Sequence, residues 1–264
     1  MDLKGYVVLI TGSSSGMGFE MAKELSAHGA TVILSGKDRT KLDHAYGELS
    51  KGKRNVYKLR MAVRDEHSVS GAAEWFERHF DHLDMLVNNA GIGDNAPGLE
   101  ELAPDHPFYD IPLSAFRAIV ETNFIGYFLV TSKFVPFMIK RRQGSIVYVS
   151  TSTETMTRKG QLPYGPSKAA GEAMSAILVK ELQDKGITVN VICPGGFTDT
   201  PMAGTGVKEF FQKNNLPILP ADVLNKVLLF LASSRAKGIT GEKIVGKDFG
   251  KWMKDKNIIW EEIS

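Results

Sequence analysis

Cysteine is nearly absent: one residue, Cys193, among 264 excludes an intrachain disulfide as a source of stability. The six histidines are scattered, and beside a single cysteine they offer no spacing suited to a metal site, so none is expected. His79 and His82, near a helix end, read as solvated surface groups. No charge of one sign prevails. With 32 basic against 30 acidic residues, no global field holds the chain to nucleic acid or anionic lipid, and any phosphate binding must be local. Apolar runs of membrane length are missing from the sequence pattern, and Met1 to Gly5 carries charge in place of a signal-type apolar region. A cytoplasmic protein is expected.

What is present is 43% hydrophobic and 23% charged residues with 26 glycines, enough to bury one sizeable core connected by tight turns. A single domain over 1–264 needs no second unit for stability. The run Tyr6 to Thr11 is short, apolar and β-branched, as in a strand buried on both faces of a parallel sheet. Gly12-Ser13-Ser14-Ser15-Gly16-Met17-Gly18 then opens a helix with Phe19, Ala22 and Leu25 at helical spacing, and Thr31 to Ser35 is the next strand. Residues 6–35 therefore form a βαβ unit. Alternation continues with helices near 39–50 and 66–80 and strands near 55–61 and 85–87. A polar segment leads to Pro112, followed by one long helix from about Ser114 to Arg141, whose closing Lys140, Arg141 and Arg142 suit its negative end. Ser145–Ser150 is a strand, the helix carrying Tyr164 runs to about Lys185, and Ile187–Ile192 is a strand. Asp222–Ala232 is helical, and Lys243–Val245 is a last strand before an irregular tail. The pattern is that of an α/β protein, a doubly wound parallel sheet of about seven strands with helices on both faces. Such a sheet binds its ligand outside the carboxyl ends of its strands.

Two stretches carry chemistry. Gly12, Gly16 and Gly18 lack Cβ atoms, so a pyrophosphate can approach backbone amides at a helix N-terminus, and their place between strand and helix supports that reading over an ordinary turn. Tyr164 and Lys168 lie a turn apart on one helix face. A free tyrosine has a pKa of about 10 and is roughly 0.1% ionised at neutral pH, too little for a good base. A cation about 4 Å away supplies up to ~4 kcal/mol toward ionisation at an effective dielectric near 20. On spacing alone such a pair is far more often a plain helix face.

Thr11-Gly12-xxx-Gly16-x-Gly18, Asn88-Asn89-Ala90-Gly91 and Tyr164-xxx-Lys168 occur together and in order. With them the chain resembles a short-chain dehydrogenase/reductase from the first strand through Ile239-Thr240-Gly241. The resemblance implies a Rossmann fold holding cofactor and substrate together, and an oxidoreductase that moves hydride between a nicotinamide cofactor and a carbonyl or alcohol. It implies that Tyr164 is the general acid/base and that Lys168 lowers its pKa and binds the nicotinamide ribose. Asn123 takes the family's helix-disturbing position, where a water linked to the lysine is held. The hydroxyl partner falls on Thr151, thirteen residues before Tyr164, with Ser152 adjacent and also able to serve. A threonine there donates the same hydrogen bond but narrows the pocket.

The implied cofactor contacts are Gly12, Ser14, Ser15, Gly16, Met17 and Gly18 at the first loop; Lys37, Arg39 and Val63 toward the adenosine; and Asn89, Ala90 and Gly91 beyond the fourth strand. Tyr164, Lys168, Pro194, Gly195, Phe197, Thr198 and Thr200 complete them toward the nicotinamide. Gly36 stands where NAD-preferring members place an acid, and Lys37 and Arg39 can face a 2′-phosphate, so NADP(H) is expected ahead of NAD(H). Ala62 replaces the family's acid near the adenine. An extra residue after Pro194-Gly195 leaves Thr198 and Thr200 as alternatives for the carboxamide contact. Substrate loops are expected over about 92–112, 151–163 and 195–220, with Phe210 and Phe211 on different faces of a lid helix. A homodimer or homotetramer through the helices at 114–141 and 164–185 is expected, Ala169, Ala170 and Gly171 permitting close packing. The alternatives are an NAD-dependent alcohol dehydrogenase and a sensor that binds dinucleotide without turnover.

Overall fold

The computed structural model describes residues 1–52, 55–93, 95–99, 107–202 and 205–260, the last stretch beginning with three residues of which only the backbone is described. Parts of the expected substrate loops, residues 94, 100–106, 203 and 204, lie outside the described residues.

Seven strands form one parallel sheet: β1 (Val7–Ile10), β2 (Thr31–Gly36), β3 (Val56–Arg60), β4 (Met85–Asn88), β5 (Gly144–Val149), β6 (Ile187–Cys193) and β7 (Lys243–Val245). Their order is β3-β2-β1-β4-β5-β6-β7, so the winding reverses between β1 and β4. The crevice for a ligand in such a sheet opens at that reversal. Side chains alternate along each strand into two cores. Val8, Ile10, Val32, Leu34, Val87, Val147 and Ile192 enter one, against α1 (Gly16–Ala27), α2 (Arg39–Leu49), α9 (Asn225–Ala232) and α10 (Phe249–Asp255). Leu9, Ile33, Leu86, Ile146, Tyr148 and Val189 enter the other, against α3 (Glu66–His79), α5 (Gly126–Ile139) and α7 (Tyr164–Leu182). Double burial explains why the strands read as continuous apolar runs.

Five readings need correction. The helix expected at 114–141 is α4 (Leu113–Val120) and α5 joined by a π turn, Glu121–Ile125, which carries Asn123. Together they form a continuous helix of 27 residues, long and apolar enough to cross a membrane, although no such span was read from the sequence. Its Ile119, Val130, Phe134 and Met138 are fully buried against the rest of the fold, which makes it a core helix. The tail is not wholly irregular: α10 sets Phe249 and Trp252 against Phe230, and Trp260 closes the cluster. His79 is exposed as read, its ring stacked on Trp75 at 4.2 Å, but His82 is not a solvated group: its side chain is 20% exposed and its Nε2 lies 3.2 Å from the buried Asp84 carboxylate. Gly171 faces inward, not toward a partner: a Cβ there would lie 2.3 Å from Cζ of Tyr148. The basic trio after α5 also has definite partners, Lys140 with Glu77, Arg141 with Asp84, and Arg142 donating to the Asp184 carbonyl.

Candidate active site

The glycine loop is shaped by what its glycines exclude. Gly12 and Gly16 have φ of +63° and +58°, and a Cβ on Gly12 would lie 2.8 Å from Cα of Ala90. On Gly18 it would meet Asn89 Nδ2 at 2.5 Å. Thr11 ties this loop to the turn after β4: its hydroxyl donates to the Val87 carbonyl and accepts from the amides of Asn89 and Ala90, both at 3.0 Å. Asn89 donates in return to the carbonyls of Thr11 and Gly12. The amide groups at the start of α1 are thereby held open to one end of a cleft, a cradle for an anion that a side chain would fill.

The cleft crosses the carboxyl ends of β1 and β4 and is lined by Gly12, Ser14, Ser15, Gly16, Met17 and Gly18 at that end. Val63, Asn89, Ala90, Gly91, Tyr164, Lys168 and Thr200 also line it. Lys37 is on its wall, joined by Asp38 and by Lys41, which the sequence pattern did not single out. Arg39 lies outside: its side chain is 83% exposed and pairs with Asp43. Asp38 caps α2, accepting from the Lys41 amide at 3.0 Å. Thr200 faces Gly16 across the cleft, whereas Thr198 is buried and donates to its own loop at Gly196. Pro194, Gly195 and Phe197 do not line the cleft; Phe197 stacks on Phe211 at 4.3 Å, leaving Phe210 exposed.

Tyr164 opens α7, where Gly93 lies flat against its ring, since a Cβ there would be 3.4 Å from Cδ2. Lys168 is buried, its Nζ donating to the Val149 carbonyl at 2.9 Å and standing 5.7 Å from the Tyr164 ring centre. Burial pushes its ammonium down to about 8, and Glu172, one turn further along α7, opposes that shift. Asn123, fully inside, braces the site through its side chain: it accepts from the Ile92 amide, donates to the Ile92 carbonyl and donates to the Ser167 hydroxyl. The π turn leaves its own carbonyl to the Tyr148 hydroxyl, 3.2 Å away. Gly91 is the complement of this arrangement, because a Cβ would press on both Asn123 Oδ1 and Lys168 Nζ.

The two hydroxyl candidates differ in occupation. Ser152 caps the short helix α6 (Thr153–Thr157), accepting from the Thr155 amide and meeting the Thr155 hydroxyl at 3.0 Å. The Thr151 hydroxyl makes no hydrogen bond among the described residues. No cluster of three or more His, Cys, Asp or Glu side chains able to hold a metal occurs among the described residues.

A tyrosine with a buried lysine one turn on stands beside a glycine loop at the reversal of a seven-stranded parallel sheet, and residues 6–209 match the family described as short chain dehydrogenase. The chain belongs to the short-chain dehydrogenase/reductase family. Its members are oxidoreductases acting on small molecules. This short-chain dehydrogenase is 34% identical over 258 residues to the 3-oxoacyl-(acyl-carrier-protein) reductase FabG of Thermotoga maritima, covering 95% of this chain and 99% of that protein. The same reductase of Escherichia coli is 31% identical, with 92% and 96% covered. Among solved structures, a 3-ketoacyl-(acyl-carrier-protein) reductase from Brucella melitensis complexed with NADH is 28% identical, with a TM-score of 0.79 over 92% of this chain and 97% of that one.

Proposed function

We propose that this short-chain dehydrogenase is a cytoplasmic, NADP(H)-dependent enzyme that interconverts a carbonyl and an alcohol, with Tyr164 as general acid and base. The observation that carries the reading is Tyr164 with buried Lys168 on a cleft floored by the glycine loop, the start of their helix braced by Asn123; the Thr151 hydroxyl, unbonded among the described residues, lies two residues past Val149, whose carbonyl receives Lys168. In reduction Tyr164 gives its phenolic proton to the carbonyl oxygen, and in oxidation it takes a proton from the hydroxyl. The Lys168 ammonium lowers the cost of the phenolate by its charge. Thr151 donates a hydrogen bond to the same oxygen and orients it; Ser152 is less suited because its oxygen is engaged in capping α6. Asn123, through Ser167 and the Ile92 backbone, holds the start of α7 and with it the spacing of Tyr164 and Lys168.

NADP(H), when bound, supplies or accepts the hydride. Gly12, Gly16 and Gly18 fit its pyrophosphate, because a Cβ at Gly12 or Gly18 would collide with Ala90 or Asn89 and displace the turn after β4 that holds the loop in shape. Preference for the 2′-phosphate rests on Lys37 and Lys41 and on the lack of an acid at Gly36, where a Cβ would lie 3.2 Å from the Ser14 hydroxyl. Among the described residues Asp38 is the one carboxylate that lines the cleft, and its Oδ1 is engaged in capping α2. Exposed Ile125, Phe128 and Ile177 on the helices 113–139 and 164–182 support a homo-oligomer formed through these two helices.

The test is a titration with NADPH and NADH followed by turnover on a carbonyl panel that begins with 3-oxoacyl thioesters, for which the Thermotoga and Escherichia relatives are named. Lys37→Ala and Lys41→Ala should each weaken NADPH roughly fivefold and leave NADH unchanged, while Arg39→Ala leaves both unchanged. Tyr164→Phe should retain NADPH binding and lose nearly all turnover. Equal affinities for the two cofactors refute the cofactor assignment, and a fully active Tyr164→Phe enzyme refutes the mechanism. NADPH binding without consumption across the panel points to the non-catalytic sensor instead.

A further inference from the structure

Behind Lys168 lies a polar group that the proposed mechanism does not use. Glu172 follows Lys168 by four residues on α7, on the same helix face. Its Oε1 accepts from the Ser150 hydroxyl at 2.5 Å and stands 2.7 Å from Lys243 Nζ on β7. Lys243 meets no hydrogen-bonding atom beyond this contact among the described residues, and both side chains of the ion pair are more than two-thirds buried, at 29% and 23% exposure. Screening there is weaker than at an exposed pair. Ser150 sits between the two residues the site depends on at the end of β5: Val149, whose carbonyl receives Lys168, and Thr151. Ser150 also lines the cleft itself.

We propose that Glu172 is a positioning residue: its carboxylate clamps the end of β5 through Ser150 and supplies the anion that the buried Lys168 ammonium faces, with Lys243 as the counter-charge that sets its strength. The inference rests on reading Tyr164 and Lys168 as the proton-transfer pair. An ammonium buried without an anion nearby would lose its proton more easily, and with it the charge that supports the Tyr164 phenolate. Other groups face the same space and share the field. Tyr148 reaches Lys168 from β5, its ring centre 5.2 Å from Nζ, and Tyr164 lies on α7 itself. Cys193 on β6 lies within the field of Glu172, Lys243 and Asp248, and remains a neutral thiol because burial pushes it up to about 11.

The experiment titrates Lys168 directly in the cofactor-free protein by the ¹³Cε shift of labelled lysine, assigned by its loss in Lys168→Met, alongside the pH profile of kcat/KM. Glu172→Gln keeps an acceptor for Ser150 and removes only the charge. It should move the Lys168 midpoint and the alkaline limb of the profile down by roughly 0.5 to 1 pH unit. Lys243→Met removes the counter-charge and should move both upward. Opposite shifts with little change in Tm support the proposal. Superimposable Lys168 titrations in the wild type and both variants overturn it, as does a loss of activity that follows a fall in Tm with no shift. If Glu172→Gln does not fold, the sign of the Lys243→Met shift decides alone. Opposite titration shifts in a protein that turns over no carbonyl uphold the electrostatic role of Glu172 and refute the proposed function instead.

Discussion

Replacing Gly171 by alanine tests how the interior of α7 supports the site. The added Cβ would lie 2.3 Å from Cζ and 2.4 Å from the hydroxyl oxygen of Tyr148, far inside van der Waals contact. Tyr148 cannot easily yield: it is 2% exposed, its ring stacks on Tyr127 at 4.5 Å, and its hydroxyl holds the Asn123 carbonyl at the π turn. Overpacking of this kind costs about 1–3 kcal/mol, and pulling the hydroxyl from Asn123 adds about 1 kcal/mol. Alanine's better helix propensity offsets about 1 kcal/mol of this. The balance is a destabilisation of about 2 kcal/mol, or roughly 4–8 °C in Tm for a chain of this size. Urea unfolding of Gly171→Ala in the wild type and in a Tyr148→Leu background measures it. Leucine ends short of the clash, so there the alanine should be neutral or stabilise by up to about 1 kcal/mol. A Gly171→Ala protein more stable than wild type, or an equal cost in both backgrounds, would refute the reasoning.

Three further outcomes follow from the same structure. Lys168 is held near 8 by burial, against about 10.4 for an unfolded lysine, so between those values only the unfolded chain carries the proton. Its contribution to folding should therefore rise by about 2–3 kcal/mol from pH 7 to 10 while turnover falls above about pH 8; a stability gap between wild type and Lys168→Met that is independent of pH would sink this. Asp84 accepts the Val7 amide at 2.7 Å beneath the sheet, so Asp84→Ala should orphan a buried donor and cost about 1–3 kcal/mol, with Asp84→Asn milder; equal costs in urea would count against it. Phe128→Glu, on an exposed apolar helix face, should shift sedimentation toward monomer without lowering the fraction folded, and an unchanged sedimentation coefficient would argue against an interface there.

Much of the fold was legible because buried parallel strands announce themselves as apolar runs and the helices between them keep a helical period. The last strand, Lys243–Val245, has the same bounds in the sequence pattern and in the structure. The split of the long helix was not legible in its apolar pattern, which is uninterrupted over Leu113–Ile139; only the family resemblance marked Asn123 as helix-disturbing, and in the structure the π turn carries Asn123 where its side chain reaches Ile92 and Ser167, residues remote in sequence. His82 was misread for a similar reason: its Nε2 reaches the Gly5 carbonyl, and the Asp84 carboxylate it faces is held by the Val7 amide, each contact spanning 77 residues of the chain.

At the candidate site, the order of the glycine loop, the Asn-Asn-Ala-Gly turn and the Tyr-xxx-Lys pair belongs to the sequence alone, because each needs particular residue types at short, local spacing. Choices between near neighbours belong to the tertiary structure. Arg39 and Lys41 are both basic residues at the start of α2, but the turn of the helix sends Arg39 to Asp43 and solvent and Lys41 to the cleft. Thr198 and Thr200 alternate across the chain, and only Thr200 faces Gly16. Ser152 and Thr151 are adjacent hydroxyls until α6 engages one of them. Glu172 and Lys243 are 71 residues apart in the chain. Only the packing of α7 across the strand order β5-β6-β7 brings their charges together, because a pattern read along the chain records spacing and an ion pair depends on distance in space.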